Sequence, residues 1–357
     1  MKSDTPGRRN VHPANKRPFL AHIHYFRAFA IINIVLVHTW VAPSEFSDRA
    51  DAHLLNLIRE IAFHDATLYF IFISGFMFSY LSPKFTLARY YHSKLVTVIS
   101  PYILMTMLVL VARAMPDVLG GSFDLGAFLA SLWHALLTGS AQVQFWYIPF
   151  IAVVFLVSPL LLRIPRRWIG AVTLVAALLP LLGTRTGSTL ALGQYIYFFP
   201  VYMIGAYAAM DYASFSALIR RWMPLLVVLA VLSTVWLIWL AGAVPTWGPL
   251  NGSESLFYVQ KMSICLIALI LFQSLEAHDL KLVSLFATYS FSIYFLHLLV
   301  EFGPVKLFWF EQVDAFAPQA MIPAAFVFAL GVAFATLAVS MLLKRLFGRY
   351  SRYVIGA

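Results

Sequence analysis

The stretch FRAFAIINIVLVHTW, residues 26–40, decides the fold class and raises the main question about function. Ten residues separate Arg27 from His38, and nine of them are apolar. A continuous apolar run of this kind is typical of a membrane-spanning helix, in which each charged or titratable side chain is costly. The presence of two such side chains in one span therefore needs a physical reason.

The composition of the whole chain is that of an integral membrane protein. Of its 357 residues, 61% are hydrophobic and only 11% are charged, and the mean hydropathy is +0.82. Soluble domains are about 45–50% apolar and about 25% charged. The long runs are continuously apolar and do not alternate with polar residues, which favours helices over strands.

Apolar stretches of about 20 residues recur along the chain and predict an all-α bundle of about ten transmembrane helices. The predicted spans are 24–42, 61–82, 95–115, 144–162, 168–184, 192–210, 223–243, 257–275, 284–301 and 319–343. A shorter apolar stretch, 127–138, is predicted to form an interfacial or re-entrant helix. One transmembrane domain, residues 19–345, is predicted between basic cytoplasmic tails at 1–18 and 346–357.

Positive charge is distributed unevenly around the predicted bundle. The net charge is +10, and most of the Lys and Arg residues outside the spans fall on the side that holds both termini. Because cytoplasmic loops carry the excess of Lys and Arg, both termini are predicted to be cytoplasmic. The basic balance therefore indicates topology and attraction to anionic lipid head groups, and not a nucleic-acid partner. The single cysteine, Cys265, excludes an intramolecular disulfide and a cysteine metal site.

The spacing of Arg27 and His38 predicts that they share one face of the first span. Eleven residues turn a helix by about 1100°, or three turns plus about 20°, so the side chains lie roughly 16 Å apart along the axis. Ionisable groups within a membrane usually face the bundle interior or a wet cavity. The alternative is that Arg27 snorkels to the lipid head groups and that His38 is an ordinary interfacial histidine.

The ninth predicted span, YSFSIYFLHLLVE at residues 289–301, carries a second polar face. Its polar residues recur at i, i+4, i+7 and i+11, and so form one stripe down an otherwise apolar helix. The stripe consists of Ser290, Tyr294, His297 and Glu301. A packing seam with satisfied hydrogen bonds is the alternative to a functional stripe.

The second predicted span begins in FHDATLYFIFISGF, residues 63–76, with His64 and Asp65 near its outer end. Two interfacial polar residues are the simpler interpretation of that pair. Further along the span, the small residues Ser74 and Gly75 allow another helix to approach closely.

Three histidines on three spans, His38, His64 and His297, are thus predicted at similar depth. Zinc is one alternative, since imidazole is a common zinc ligand, but no paired spacing such as HExxH is present and no metal site is predicted. A proton relay or an acyl-transfer base fits a buried histidine better, because its pKa lies near working pH. Lys261, in the eighth predicted span, is a further unexplained charge.

Together these residues resemble the acyltransferase-3 family of integral membrane O-acyltransferases. Arg27 and His38 match its Arg-(ten residues)-His pattern, and FHDATLYFIFISGF is similar to its second span. Four further stretches are similar to the family in the same order: KLVTVISPY (94–102), QFWYIPFIAVVFLVSPLL (144–161), YIYFFPVYMIGAYA (195–208) and YSFSIYFLHLLV (289–300). The resemblance covers nearly the whole chain.

The resemblance implies a glycan O-acetyltransferase of the bacterial inner membrane. Such an enzyme moves an acyl group, usually acetyl, from cytoplasmic acetyl-CoA to a hydroxyl of a surface polysaccharide or lipid-linked sugar. No bound cofactor is expected, since acetyl-CoA is a substrate. The expected partners are the acyl-CoA, the glycan acceptor, membrane lipids and glycan-assembly proteins.

We expect His38 to act as a general base on the acceptor hydroxyl, or to carry the acyl group itself. The predicted catalytic residues are His38 and Arg27. The predicted supporting residues are His64, Asp65, Tyr294, His297 and Glu301. The predicted acyl-CoA-binding residues are Arg27, Arg89 and Lys94. The family often has a second basic residue three positions after Lys94; Thr97 stands there, and Arg89 is predicted to substitute for it.

Two other function classes fit the same pattern. Intramembrane Arg, Lys, His and Glu also mark proton-coupled transporters, so an exporter of a glycan or small solute is the main alternative. The sequence lacks paired halves of similar hydropathy, which carriers often show. The remaining alternative is a non-catalytic subunit of a glycan-assembly complex.

Overall fold

The protein is described by a computed structural model that covers residues 19–39, 50–84, 86–183, 185, 190–240, 246–247, 250–301 and 318–357. Within these ranges it is almost entirely helical. The helices are α1 (Ala21–Thr39), α2 (Ala50–Phe63), α3 (Thr67–Leu81), α4 (Leu87–Lys94), α5 (Ser100–Leu119), α6 (Leu125–Thr138), α7 (Tyr147–Val157), α8 (Arg166–Leu178), α9 (Leu192–Met210), α10 (Tyr212–Arg221), α11 (Met223–Trp239), α12 (Gly252–Ser274), α13 (Lys281–Thr288), α14 (Ser290–Glu301), α15 (Pro318–Phe347) and α16 (Ser351–Val354). Two short strands, β1 (Thr246–Trp247) and β2 (Leu250–Asn251), pair antiparallel before α12.

Six helical segments in the described ranges are long and apolar enough to cross a membrane, or eight if each of two bent pairs forms one span. The predicted all-helical, multi-pass architecture is therefore confirmed, whereas the count of ten is not. The two predicted spans that fall short contain α8 and α9. Helix α8 has only 13 residues. Helix α9 is longer, but its several tyrosines lower its hydropathy, and it is largely buried among other helices. The predicted tail at 1–18 lies outside the described residues.

Among the described helices, α3 and α9 make the most extensive contact with each other. A Cβ added to Gly75 would lie 1.9 Å from the carbonyl oxygen of Tyr202, and one added to Gly205 would lie 2.1 Å from that of Phe72. Small residues at such crossings let two backbones approach within van der Waals contact. The close approach predicted from Ser74 and Gly75 thus occurs, and its partner is α9.

Helix α1 lies at the centre of the bundle, in contact with α3, α12, α13, α14 and α15. Its core side chains, such as Phe26 and Ile31, are fully buried. Helix α11, in contrast, exposes a continuous series of Leu, Val and Trp side chains. This contrast is typical of a bundle whose central helix avoids lipid and whose outer helices face it.

Two breaks in regular α-helix lie near one end of α1. The segment Leu95–Ile99, between α4 and α5, forms a π-helical turn. Helices α13 and α14 meet at a 78° bend next to Tyr289, so that Ser290 becomes the first residue of α14. Such breaks are frequent at functional sites, because they re-aim side chains that a continuous helix would hold elsewhere.

Helix α6 is apolar and too short to cross a membrane, in agreement with the interpretation of residues 127–138. The side chain of Asp124 caps it by accepting hydrogen bonds from the backbone of Gly126 (2.7 Å) and Ala127 (3.1 Å). At its other end, Gly139 adopts the left-handed conformation that commonly terminates a helix. The helix therefore begins and ends where its sequence dictates.

Candidate active site

Arg27 lies on the side of α1 that faces α14. Its Nη2 atom donates a hydrogen bond of 2.8 Å to Oγ of Ser290, which is fully buried. The partner is a neutral hydroxyl, so this bond orients the guanidinium without neutralising its charge. Ser290, the first residue of the predicted polar stripe on α14, thus contacts Arg27 on α1.

Lys94 supplies a second positive charge at the same end of the bundle. Its Nζ atom lies 4.2 Å from the ring centroid of Phe155 and 5.5 Å from that of Tyr90. Aromatic faces stabilise an ammonium group but carry no net charge. The charges of Lys94 and Arg27 are close enough to repel each other. Two cations held by neutral partners make this end of the bundle attractive to an anion.

Arg89, the third residue predicted to bind acyl-CoA, has an exposed side chain on α4. No contact among the described residues joins it to Arg27. The hydroxyl of Thr97 donates a 2.8 Å hydrogen bond to the carbonyl of Ser93, within its own helical segment. The structure therefore brings Arg27 and Lys94 together, and leaves Arg89 on the surface.

His38 lies at the other end of α1, against His297. The two imidazoles are stacked, with ring centroids 5.5 Å apart and planes inclined by 29°. Because Arg27 contacts the first residue of α14 and His38 contacts a residue near its end, α1 and α14 run in the same direction. The polar faces predicted on both helices therefore meet.

The hydrogen bonds of His297 fix its tautomer. Its Nδ1 atom lies 3.0 Å from the carbonyl oxygens of Ile293 and of Tyr294, both one turn earlier in α14. A carbonyl oxygen only accepts, so Nδ1 carries a proton and Nε2 presents a lone pair in the neutral ring. His297 is fully buried, and its Nε2 has no hydrogen-bond partner among the described residues. This nitrogen is therefore available to accept a proton or to attack a carbonyl.

A small cavity, here called the α1–α14 cavity, lies between the Arg27–Ser290 and His38–His297 pairs. It is lined by Ile34, Thr67, Phe70, Tyr147, Ser290, Phe291 and Tyr294. It has room for about one water molecule. Four of its lining residues are aromatic, Phe70, Tyr147, Phe291 and Tyr294, and the cavity is too small to hold a substrate in this conformation.

The remaining predicted residues of the stripe take different positions. Tyr294 is buried, and its hydroxyl donates a 2.6 Å hydrogen bond to the carbonyl of Gln144. That hydroxyl must leave Gln144 before it can stabilise an oxyanion. Glu301 is buried at the last residue of α14, one turn beyond His297.

His64 and Asp65 form a separate cluster in the turn between α2 and α3. Asp65 has φ = 58°, a left-handed conformation that residues other than glycine rarely adopt. One oxygen of its carboxylate accepts a very short hydrogen bond from Arg185, and the other accepts one of 2.8 Å from the hydroxyl of Tyr197. These two partners hold the turn in its unfavourable backbone conformation.

Arg185 is the centre of this cluster, and no motif or spacing in the sequence singles it out. Its Nη1 atom also lies 2.9 Å from Nε2 of His64 and 3.3 Å from a carboxylate oxygen of Glu254. Burial alone would lower the pKa of Arg185, but Asp65 and Glu254 raise it above its ordinary value. The guanidinium therefore stays charged at any working pH.

Both nitrogens of His64 are engaged. Nδ1 lies 2.9 Å from a carboxylate oxygen of Glu60, and Nε2 faces Arg185. A histidine bound on both sides has no free lone pair in this conformation. His64 is thus distinguished from His297 by its contacts, although the two appeared equivalent in the sequence.

The same cluster is where a metal ion could be sought. His64, Asp65 and Glu254 each offer a ligand atom, and these atoms lie within 4.8 Å of one another. Nη1 of Arg185 contacts all three. A metal ion would have to displace this guanidinium, so the donor set fits an arginine better than a metal.

Residues 20–345 match the family model described as an acyltransferase domain, Acyl_transf_3. The chain belongs to the acyltransferase-3 family. Membership supports membrane acyltransferase activity, and so favours the enzyme over the transporter and the non-catalytic subunit. No curated protein and no solved structure matched the chain.

In this acyltransferase, Lys261 is a structural cation. Its buried Nζ atom donates hydrogen bonds of 2.9 and 2.8 Å to the carbonyls of Ile61 and Ala62. These carbonyls lie in the last turn of α2, where the helix itself offers no donors. Lys261 on α12 therefore caps α2 and fixes the turn that holds Asp65.

Proposed function

We propose that this acyltransferase moves an acetyl or similar acyl group from cytoplasmic acyl-CoA to a hydroxyl of a surface polysaccharide or lipid-linked sugar. The observation that carries the proposal is the arrangement along α1 and α14. Cations bound by neutral groups lie at one end, a stacked histidine pair lies at the other, and the α1–α14 cavity lies between them.

The proposed orientation places the Arg27 end on the cytoplasmic side of a bacterial inner membrane. The excess of Lys and Arg in the loops on that side supports it. Ten spans, with α8 and α9 completing the set, would put both termini in the cytoplasm. The cytoplasmic donor then meets Arg27 and Lys94 first, and the outer acceptor approaches from the His38 end.

Arg27 and Lys94 are proposed to attract the phosphates of acyl-CoA. Arginine binds phosphate through parallel hydrogen bonds, and neither cation is neutralised by the contacts described above. The pantetheine arm would then extend into the α1–α14 cavity. Since the cavity admits only about one water molecule, binding must be accompanied by rotation of its aromatic lining.

Two routes to transfer are open at the histidine pair. In direct transfer, the acceptor oxygen attacks the thioester carbonyl while His38 takes the hydroxyl proton, and the C–S bond breaks to release CoA thiolate, which is then protonated. In the covalent route, a nitrogen of His38 attacks the thioester carbonyl, the C–S bond breaks, and CoA thiolate leaves and takes the ring N–H proton, which gives a neutral acyl-imidazole. The acceptor hydroxyl then attacks this acyl group and loses its proton to a base, and the C–N bond breaks to free His38. In either route, Nε2 of His297 is a proton acceptor next to His38.

The direct test uses membranes that contain the wild type or His38→Ala, with labelled acetyl-CoA and the host's surface glycan. We expect the label on the glycan to fall by at least about 10²-fold at equal protein level, the scale of general base catalysis. His134→Ala, at an exposed histidine of α6, serves as the matched control and should transfer normally. Normal acetylation by His38→Ala would overturn the proposal.

A further inference from the structure

The chain beyond α15 folds back onto the bundle at the Arg27 end. After α15, a 3₁₀ turn at Gly348–Tyr350 leads into α16. Helix α16 packs against α5 and the π-helical turn Leu95–Ile99. The carbonyl of Tyr353 accepts a 3.0 Å hydrogen bond from the hydroxyl of Ser100, and Ile355 is fully buried. This segment, residues 351–357, is therefore part of the folded unit.

The segment reaches the lining of the α1–α14 cavity. A Cβ added to Gly356 would lie 3.2 Å from the carbonyl of Thr97 and 3.3 Å from Cβ of Phe291. Phe291 lines the cavity, and it follows Ser290, the partner of Arg27. Residues 351–357 thus pack against a residue that lines the cavity, at the Arg27 end of the bundle.

Two basic residues lie in or near this segment. Nζ of Lys344, near the end of α15, lies 5.4 Å from the ring centroid of Tyr289, the residue before Ser290. Arg352 is exposed on α16, one residue from the Tyr353–Ser100 hydrogen bond. The Cα atoms of Arg352 and Tyr353 are about 3.8 Å apart, so the backbone of Arg352 lies close to Ser100, which follows the π-helical turn. The side chain of Arg352 is exposed.

We propose that residues 351–357 are part of the donor site and that Arg352, with Lys344, binds phosphate groups of acyl-CoA. The inference rests on the proposed function, and through Arg352 it extends the donor site to a segment beyond residues 20–345, the part of the chain that matches the family. Together with Arg27 and Lys94, these residues would offer the donor four positive charges at the Arg27 end of the bundle. Thr97 contributes none, and the residue that packs against its carbonyl is Gly356, four residues after Arg352.

The test measures binding of two probes, coenzyme A and pantetheine, to the purified protein in phosphatidylcholine nanodiscs. Pantetheine has the thiol arm but no phosphate. We expect Arg352→Gln to weaken coenzyme A binding about tenfold, the scale of one charge-assisted hydrogen bond, and to leave pantetheine binding unchanged. Lys344→Gln should act in the same way. Arg221→Gln, at an exposed arginine of α10, is the control and should change neither.

Several results would overturn the inference. If Arg352→Gln weakens both probes equally, or neither, the segment does not bind phosphate. If the variant leaves coenzyme A affinity intact and only lowers retention of phosphatidylglycerol in mixed-lipid nanodiscs, Arg352 binds lipid head groups. If the wild type binds neither probe, the proposed function fails as well. If the wild type binds coenzyme A and Arg352→Gln binds it equally well, only the assignment of Arg352 fails. Arg352→Lys should restore part of the affinity and controls for folding.

Discussion

At the scale of single residues, His64 and His297 differ in whether one ring nitrogen is free of hydrogen bonds. His297 donates through Nδ1 to backbone carbonyls and keeps Nε2 available, whereas both nitrogens of His64 are bound. Sequence spacing placed the two at similar depth and could not distinguish them. The difference arises from Arg185 and Glu60, one of which lies far away in the chain.

The substitution His297→Asn tests this difference, because asparagine can replace only one of the two ring nitrogens. Asparagine at position 297 can place its amide N–H where Nδ1–H was, but it has nothing in place of Nε2. We expect His297→Asn to lower acyl transfer by about 10²-fold or more while its melting temperature stays close to that of the wild type. His64→Asn should instead lower the melting temperature, because it disturbs the Arg185 cluster. Wild-type transfer by His297→Asn would show that Nε2 is not used.

At the scale of helices, the crossing of α3 and α9 depends on two glycines. Gly75→Ala would drive a methyl group into the backbone carbonyl of Tyr202, which cannot move aside as a side chain can. Overpacking typically costs about 1–3 kcal/mol, and a backbone contact at this distance belongs at the upper end of that range. We expect a clearly lower melting temperature in detergent for Gly75→Ala and for Gly205→Ala. Gly331→Ala, where nothing lies within 4 Å, is the control and should be neutral or stabilising; equal melting of all three variants would contradict the close crossing.

The helices also show which features the sequence predicts well. The faces of α1 and α14 follow from their spacing alone, because 3.6 residues per turn places Arg27 with His38 and Ser290 with His297. The Ser74–Gly75 crossing follows from residue size. The π-helical turn at Leu95–Ile99 is followed by Pro101, which has no N–H to bond the carbonyl of Thr97, so the sequence does carry a local signal there. The bend at Tyr289 has no Pro or Gly beside it, and the local sequence does not predict it.

At the scale of the whole molecule, the multi-pass helical bundle follows from composition, whereas the assembly of the sites does not. The predicted span 192–210 coincides with α9, but hydropathy does not reveal that its residues Tyr197 and Tyr202 are buried among other helices. Arg185 joins the Asp65 turn from a loop more than a hundred residues away, and residues 351–357 pack against the π-helical turn near Thr97. Such contacts depend on the three-dimensional arrangement of helices, which a single sequence does not encode in any local pattern.

The central claim is that a thioester enters between α1 and α14 from the Arg27 end and reacts at the histidine pair. The most direct measurement is a cryo-EM structure of the protein in nanodiscs with an acetyl-CoA analogue in which a methylene group replaces the sulfur. We expect the phosphates at Arg27 and Lys94, rotated rings at Phe291 and Tyr294, and the acetyl carbonyl within about 3.5 Å of a nitrogen of His38 or His297. An analogue bound elsewhere, with the α1–α14 cavity still closed, would contradict the claim.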